Sequence, residues 1–463
     1  KEMPVILRLT THVCHAKEVV QFGARGSEQP DWTSRFSPEN GPYLPLVKWV
    51  NPLKARALEK LDSFKVESNA SEFNKTLSPN GTGAVGGKKL GVVTAIIPAL
   101  SVLENLDESG VSLDVLKLGL SYPLPRKKIQ DFLSSHDEVL VIEELDRVME
   151  TEIKAMAYEF KSDCVIKSRI GNDLLLGELT PDKTWNIMSS AWPEVFDQWK
   201  TEDETSIEVA PRIAQMCPGC GHRSAYQAIK AALEDDTITV GDIGCHYLGF
   251  FPPYNVGEVL LCMGHSNGTG AGLSIKNKRK VVTFLGDSTL FHAGWPGIIN
   301  AVINEHPITL IVMENGTTAM TGHQPRMGTG EIGEKIPIRG VLESLGVKSV
   351  REVDTYNQGK LTEYVKEAMA EDGFSVVIAH HPCMLKFMRT QRSKVPGFKV
   401  NQVSIDQGKC DQSKVCLEKF GCPSFYKHDD GTVTVHPDLC IGDGSCLKTC
   451  PVGAIGRGKG GAK

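Results

Sequence analysis

The chain lacks any apolar run long enough to cross a bilayer. Its longest, residues 92–103, is interrupted by Thr94 and Pro98 and falls short of the ~20 residues that a spanning helix needs. It also lacks a basic block. Fifty-one Lys and Arg against 56 Asp and Glu leave a net charge of −5, so neither nucleic acid nor an anionic membrane is an expected partner. No signal peptide precedes Asn69, Asn74 and Asn80, whose three Asn-x-Ser/Thr sequons therefore read as chance matches in a polar stretch. The thirteen cysteines do not pair evenly as in a small secreted chain. They gather in motifs, which predicts a reducing, cytoplasmic setting.

What is present is room for about three domains. Residues 5–9 read as a strand, so that residues 1–25 form the end of a domain with an exit loop. Residues 26–89 read as a linker that contains a short helix at 54–61 and a polar, Gly-rich stretch from 63 to 89. Between residues 90 and 175, short apolar strands alternate with helices, the pattern of a parallel sheet covered on both faces. Residues 176–210 read as a Trp- and acid-rich connector. A second α/β domain follows at 211–395, with strands expected at 238–240, 281–285, 308–313 and 375–379. A cysteine-rich α+β tail occupies 403–463. The fold class is thus multi-domain α/β with a small α+β domain at the end.

The tail holds two nearly parallel arrays. The first is Cys410-x5-Cys416-x5-Cys422-Pro423 and the second Cys440-x5-Cys446-x3-Cys450-Pro451. Each lacks one cysteine at the same place, where Ser413 and Asp443 stand instead. With cysteine restored there, both become the C-x2-C-x2-C…C-P run that binds paired iron–sulfur clusters. A disulfide or zinc staple fits less well, because zinc sites commonly mix Cys with His and need no Pro after the last ligand. In two-cluster ferredoxins the fourth cysteine of each run ligates the other cluster. Cys410, Cys416 and Cys450 would then serve one cluster and Cys440, Cys446 and Cys422 the other, each as [4Fe-4S] or [3Fe-4S].

A second motif lies in the second α/β domain. The strand at 281–285 runs into Gly286-Asp287-Ser288, and the strand at 308–313 ends at Glu314-Asn315-Gly316-Thr317-Thr318. A carboxylate and an amide at neighbouring strand ends point into the crevice where open α/β sheets bind ligands. Hard oxygen donors of this kind suit Mg²⁺, which takes its remaining ligands from phosphates. A glycine at 286 admits close backbone approach. The combination is the signature pattern of thiamine diphosphate sites, whereas a lone Gly-Asp is usually only a turn.

Together with the Cys217-Pro-Gly-Cys220 opening, the run from Glu314 to Pro325, Glu-Asn-Gly-Thr-Thr-Ala-Met-Thr-Gly-His-Gln-Pro, resembles the large subunits of indolepyruvate:ferredoxin oxidoreductases. These belong to the thiamine-dependent 2-oxoacid oxidoreductases. The resemblance extends to residues 117–125 and 139–146, similar to the family's transketolase-C-terminal-like domain, and to residues 4–11, similar to the end of its pyrimidine-binding domain. It implies Mg²⁺ held by Asp287, Asn315 and the carbonyl of Thr317. Gly286, Ser288, Thr318 and Met320 would join them at the cofactor. It further implies oxidative decarboxylation of an aryl pyruvate with coenzyme A as co-substrate and ferredoxin as acceptor, a smaller β subunit, and a dimer of heterodimers. Two departures stand out. The glutamate that contacts the aminopyrimidine in the family is not encoded in this sequence, and each cluster array is one cysteine short.

Cys217 and Cys220 open the second α/β domain, and Cys245 and Cys383 each follow a strand. Related enzymes hold a further cluster on four such cysteines, which would make a third [4Fe-4S] here. The alternatives are buried cysteines acting as small apolar residues and a zinc knuckle with His222. Cys14, Cys164 and Cys262 read as core. His246, His265, His292 and His323 flank the motifs, and His323, inside the cofactor loop, is the catalytic candidate. Two other functions stay open: a non-oxidative thiamine-dependent decarboxylase, and an electron-transfer or scaffold remnant without catalysis.

Overall fold

The computed structural model describes residues 4–23, 43–81, 84–169, 171, 176–196, 213–277 and 279–458. The chain divides into two compact units, Lys1–Ile207 and Glu208–Lys463.

The first unit is built on strands β1 (Lys75–Leu77), β2 (Leu90–Ala95), β3 (Asp114–Leu118), β4 (Glu138–Ile142) and β5 (Val165–Lys167). They are ordered β1-β3-β2-β4-β5, parallel except for β1. Every residue of β2 and β4 is buried, as a strand covered on both faces must be. Alternate side chains face two cores. Val92, Val115 and Leu140 pack with Ile187, Trp192 and Phe196 on one side. Val93, Leu116 and Val141 pack with Ile129, Phe132 and Ile153 on the other.

Three expectations for this unit need correction. Residues 5–9 form no strand, and Val5, Ile6 and Leu7 are exposed; among the described residues no neighbour offers them a ladder. The expected short helix and linker are instead one 24-residue helix, Val47–Ala70, followed by β1. Asn74, fully buried, knits this region together: its amide donates to the Ser68 carbonyl at 3.0 Å and its Oδ1 accepts from Gly119 and Leu120 at 2.9 and 2.8 Å. Polar residues that satisfy backbone groups were read as linker. The supposed connector also contains a helix, Pro181–Ala191, with Pro at its favoured first turn, and its Trp192 and Phe196 are fully buried in the first core. Residues 197–210 of the expected connector and residues 26–42, 82 and 83 of the first linker lie outside the described residues.

The second unit carries an all-parallel sheet of β6 (Ile238–Val240), β7 (Val281–Gly286), β8 (Ile308–Glu314), β9 (Ser349–Asp354) and β10 (Ser375–His380), ordered β6-β7-β8-β10-β9. Phe284, Ile311 and Val377 belong to one core face, and Leu285, Leu310 and Val376 to the other. The edge strand β9 escaped sequence reading because of its six residues only Val353 is buried. The helix Met384–Lys394 was likewise unforeseen.

The tail pairs β11 (Val403–Ile405) with β14 (Ile455–Arg457) and β12 (Phe425–Lys427) with β13 (Val433–Val435), both antiparallel. Its small core joins Phe420, Phe425, Val433 and Ile455 to Cys416, Cys422, Cys440, Cys446 and Cys450. It is fastened to the rest of this unit by polar contacts. Tyr254 donates to the Phe420 carbonyl at 2.6 Å, Tyr356 to Asp443 Oδ2 at 3.0 Å and Thr449 to Gln227 Oε1 at 3.1 Å. No helix of the described residues is long and apolar enough to cross a membrane.

Candidate cofactor and iron–sulfur sites

The carboxyl ends of β7 and β8 meet at Asp287. Its carboxylate, 2% exposed, accepts at Oδ2 from the amides of Asn315 (3.1 Å) and Gly316 (2.7 Å), and at Oδ1 from Ser288 (2.7 Å). Asn315 Oδ1 accepts from the Thr317 amide at 2.9 Å, and the Ser288 and Thr318 hydroxyls share a bond of 2.8 Å. The loop after β8 is therefore wound around the acid at the end of β7. Met320 is 51% exposed and makes no contact in this network. Gly286 is needed for a reason beyond ligand approach: a Cβ there would lie 3.0 Å from the His246 ring.

Arg326 was not foreseen. Its Nε donates to Asp287 Oδ2 at 2.7 Å and its Nη2 to Glu314 Oε1 at 2.7 Å, with the side chain 4% exposed. Its guanidinium carbon lies 5.2 Å from the centre of the Phe291 ring. No motif marks it; only the folded loop delivers it. The donors present still fit a divalent cation, since Asp287 Oδ1 and Asn315 Oδ1 each accept only one close hydrogen bond and keep a lone pair free. A metal here would share Asp287 with the guanidinium.

Beside this network opens a cavity of about 630 Å³, lined by Asn315, Arg326, Lys335, His381, Cys383 and Lys386 among others. The Cys383 amide donates to the Asn315 carbonyl at 3.0 Å, so the end of β10 is tied to the end of β8. Cys383 Sγ lies 3.9 Å from His323 Nδ1. Burial, then Arg389 and Lys386, lowers the His323 pKa, which keeps the ring neutral at pH 7. His246 is buried with Nε2 unpartnered, and burial with His222 holds it down to about 3. His222 is itself pushed down to about 4 by burial and His381. His265 bonds the Thr269 hydroxyl at 3.0 Å and accepts from the Leu261 amide at 3.0 Å. Of the four histidines, only His323 has a bond partner among the candidate residues, Cys383.

The four inner cysteines are neighbours. Burial, then Cys383, Cys217 and Asp287, pushes the Cys245 thiol up to about 11. Burial alone dominates at Cys220, pushed up to about 12, with Cys217 and Cys245 adding to it. Among the described residues no group of three His, Cys, Asp or Glu is arranged to hold a metal ion.

The tail cysteines sort into two groups. Burial, then Cys410 and Cys450, raises the Cys416 pKa. Burial, then Asp443, Cys422 and Cys440, raises that of Cys446. Asp443 is partly buried, with Oδ2 accepting from Tyr356 and from the Ser445 amide at 2.9 Å, whereas Ser413 is exposed. Cys14 and Cys262, expected in the core, are exposed, and Cys164 is only partly buried.

Comparison with known proteins places these sites in context. Residues 242–379 match the family model of the thiamine pyrophosphate enzyme C-terminal TPP binding domain, and residues 433–456 that of the 4Fe-4S binding domain. The chain is 34% identical over 473 residues to indolepyruvate oxidoreductase subunit IorA of Methanothermobacter thermautotrophicus, covering 99% of this chain and 73% of that one. The same subunit of Pyrococcus horikoshii is 31% identical, covering 97% and 72%. 2-Oxoglutarate synthase subunit KorB of Archaeoglobus fulgidus is 28% identical over 196 residues, or 38% of this chain and 71% of that one. The sheet with its thiamine diphosphate domain and the appended 4Fe-4S domain define an enzyme of the 2-oxoacid:ferredoxin oxidoreductase class, with an iron–sulfur protein as electron acceptor. Within that class, the chain belongs to the family of indolepyruvate oxidoreductase subunit IorA.

Proposed function

We propose that this chain is the large subunit of an enzyme that oxidatively decarboxylates aryl pyruvates, indolepyruvate foremost. The balanced reaction takes one 2-oxoacid, one coenzyme A and two oxidised ferredoxins to one acyl-coenzyme A, one CO₂, one proton and two reduced ferredoxins. A smaller β subunit completes the enzyme, which works in the cytoplasm as a dimer of heterodimers. Indolepyruvate rests on the names of the IorA relatives.

Asp287, Asn315 and the Thr317 carbonyl would hold Mg²⁺, with Gly286, Ser288 and Thr318 beside the diphosphate. Thiamine diphosphate, when bound, supplies the electron sink for decarboxylation. The chain's own groups do the rest. The amides of Asn315 and Gly316 orient Asp287. His323, whose pKa burial and then Arg389 and Lys386 lower, would accept a proton at Nδ1 beside Cys383. Cys217, Cys220, Cys245 and Cys383 would hold a cluster next to the cofactor. The two tail groups would hold two more and lead electrons out one at a time.

The observation that carries this reading is the junction of Asp287, Asn315 and Cys383, which joins the expected metal site to the expected inner cluster through direct hydrogen bonds. Asp287→Ala should abolish magnesium-dependent binding of thiamine diphosphate, measured by calorimetry, while circular dichroism shows the fold intact. Unchanged affinity refutes the assignment. Turnover of indolepyruvate against 2-oxoglutarate, by the chain purified with its partner subunit, tests the substrate.

A further inference from the structure

Arg223 is a buried cation without a counter-ion. It is 2% exposed, and its guanidinium donates to the carbonyls of Cys217 (3.0 Å from Nε), Met216 and Gly421. Among the described residues no carboxylate pairs with it. A charge taken out of water costs several kcal/mol unless an opposite charge offsets it, and carbonyl dipoles supply only part of that. Its three acceptors are also informative. Cys217 is an inner cysteine, Met216 precedes it, and Gly421 precedes the tail's Cys422. Tyr254, whose hydroxyl bonds the Phe420 carbonyl at 2.6 Å, spans the same seam. The guanidinium therefore stands between two cysteine sets, with its positive charge paired to no carboxylate among the described residues.

We propose that Arg223 is a counter-charge shared by two iron–sulfur sites, the inner one at Cys217, Cys220, Cys245 and Cys383 and the tail one at Cys422, Cys440 and Cys446. The proposal rests on the cluster reading given above. Thiolate-ligated clusters are anionic and gain a further negative charge on reduction. A fixed cation beside them favours the reduced form, so it raises both potentials. Arg223 is in this sense a positioning residue for electron transfer: it fastens the tail to the inner turn and brings the two potentials up together. The remaining tail group, Cys410, Cys416 and Cys450, is linked to Arg223 only at one remove, through the Gly421 amide, which donates to the Cys416 carbonyl at 3.0 Å, and provides an internal comparison.

The test is redox titration, followed by electron paramagnetic resonance, of the full chain reconstituted anaerobically with iron and sulfide. In Arg223→Gln, with iron content equal to wild type, two of the signals should shift so that reduction is disfavoured about tenfold each, or about 59 mV for one electron. The third should move least. Arg223→Lys keeps the charge and should hold both potentials within about threefold of wild type, or about 30 mV. Unmoved potentials in Arg223→Gln overturn the proposal, as does an equal shift in all three signals. Should the Gln variant fail to fold or to load iron, the Lys variant decides: potentials near wild type support the role of charge, and a shift beyond tenfold refutes it. Wild-type protein that takes up no iron removes the cluster reading itself, and with it this inference.

Discussion

The pair formed by Asp287 and Arg326 offers a sharp test of how the proposed metal site is built. Arg326→Met leaves a carboxylate that is 2% exposed, held by the amides of Ser288, Asn315 and Gly316 but with no cation. Asp287→Asn leaves a guanidinium that is 4% exposed, with only Glu314 and the Met327 carbonyl. Breaking one side of a buried pair typically costs ~3–5 kcal/mol, whereas replacing both sides with neutral groups is often nearly neutral. Three retained amides put Arg326→Met at the low end, about 3 kcal/mol. The double variant should therefore be more stable than the sum of the single losses by at least ~2 kcal/mol. Urea unfolding gives the totals. Hydrogen exchange over residues 281–330 localises the loss to this site. Mg²⁺ should restore stability in Arg326→Met more than in wild type, because it would take the place of the missing cation on Asp287. Strictly additive losses, or a Mg²⁺ response no larger than that of wild type, would refute the reasoning.

Other outcomes follow from features of each unit. Burial pushes the Glu138 carboxyl up, but Lys167, Lys88 and the Trp192 indole outweigh it and hold it at about 2 against an ordinary 4.5. A depressed carboxylate stabilises the fold above its unfolded pKa, so wild type should lose about 3 kcal/mol as pH falls from about 4.5 to 2. Glu138→Gln should be less stable at pH 7 and lack this loss across that window, as followed by urea unfolding at each pH. In the tail, mild air exposure of the reconstituted chain should produce three-iron signals in electron paramagnetic resonance. The site beside exposed Ser413 should convert before the site beside Asp443, because a serine must lose its proton to ligate iron. Ser413→Cys and Asp443→Cys should each hold a fourth iron, and retention in neither would show that the array register is wrong.

The sheets were legible because fully buried strands are continuous apolar runs: β2, β4, β7 and β8 carry almost no polar residue. The edge strand β9 reads Ser-Val-Arg-Glu-Val-Asp and exposes most of its side chains, so no apolar run announced it. The same holds for β1, recognisable only through its pairing with β3. Asp287 and Asn315 could be named because each follows a buried strand at a sheet's carboxyl end. Arg326, Arg223 and Tyr356 could not. Their partners lie 39, 198 and 87 residues away in the chain, and an arginine or tyrosine, whether in a loop or in a helix as Arg223 is, has no local pattern that distinguishes such contacts from solvent exposure. The buried asparagine at 74 was misread for a related reason. A polar residue that satisfies backbone groups looks, in sequence, like one that satisfies water.

The sorting of the tail cysteines bears on how this part of the molecule is made. Cys416 has Cys410 and Cys450 for neighbours, and Cys446 has Cys422 and Cys440. Each group thus borrows its outlying member from the opposite array, and neither array is self-sufficient. Neither group is complete until synthesis has passed Cys446, and the one that includes Cys450 must wait longer still. Iron loading would in that sense be a proofreading step. Clusters spanning both arrays would clasp the two strand pairs to each other as crossed buckles do, and a chain cut short before residue 446 would be left with neither clasp and without Cys446, Leu447, Cys450 and Ile455 of its small core.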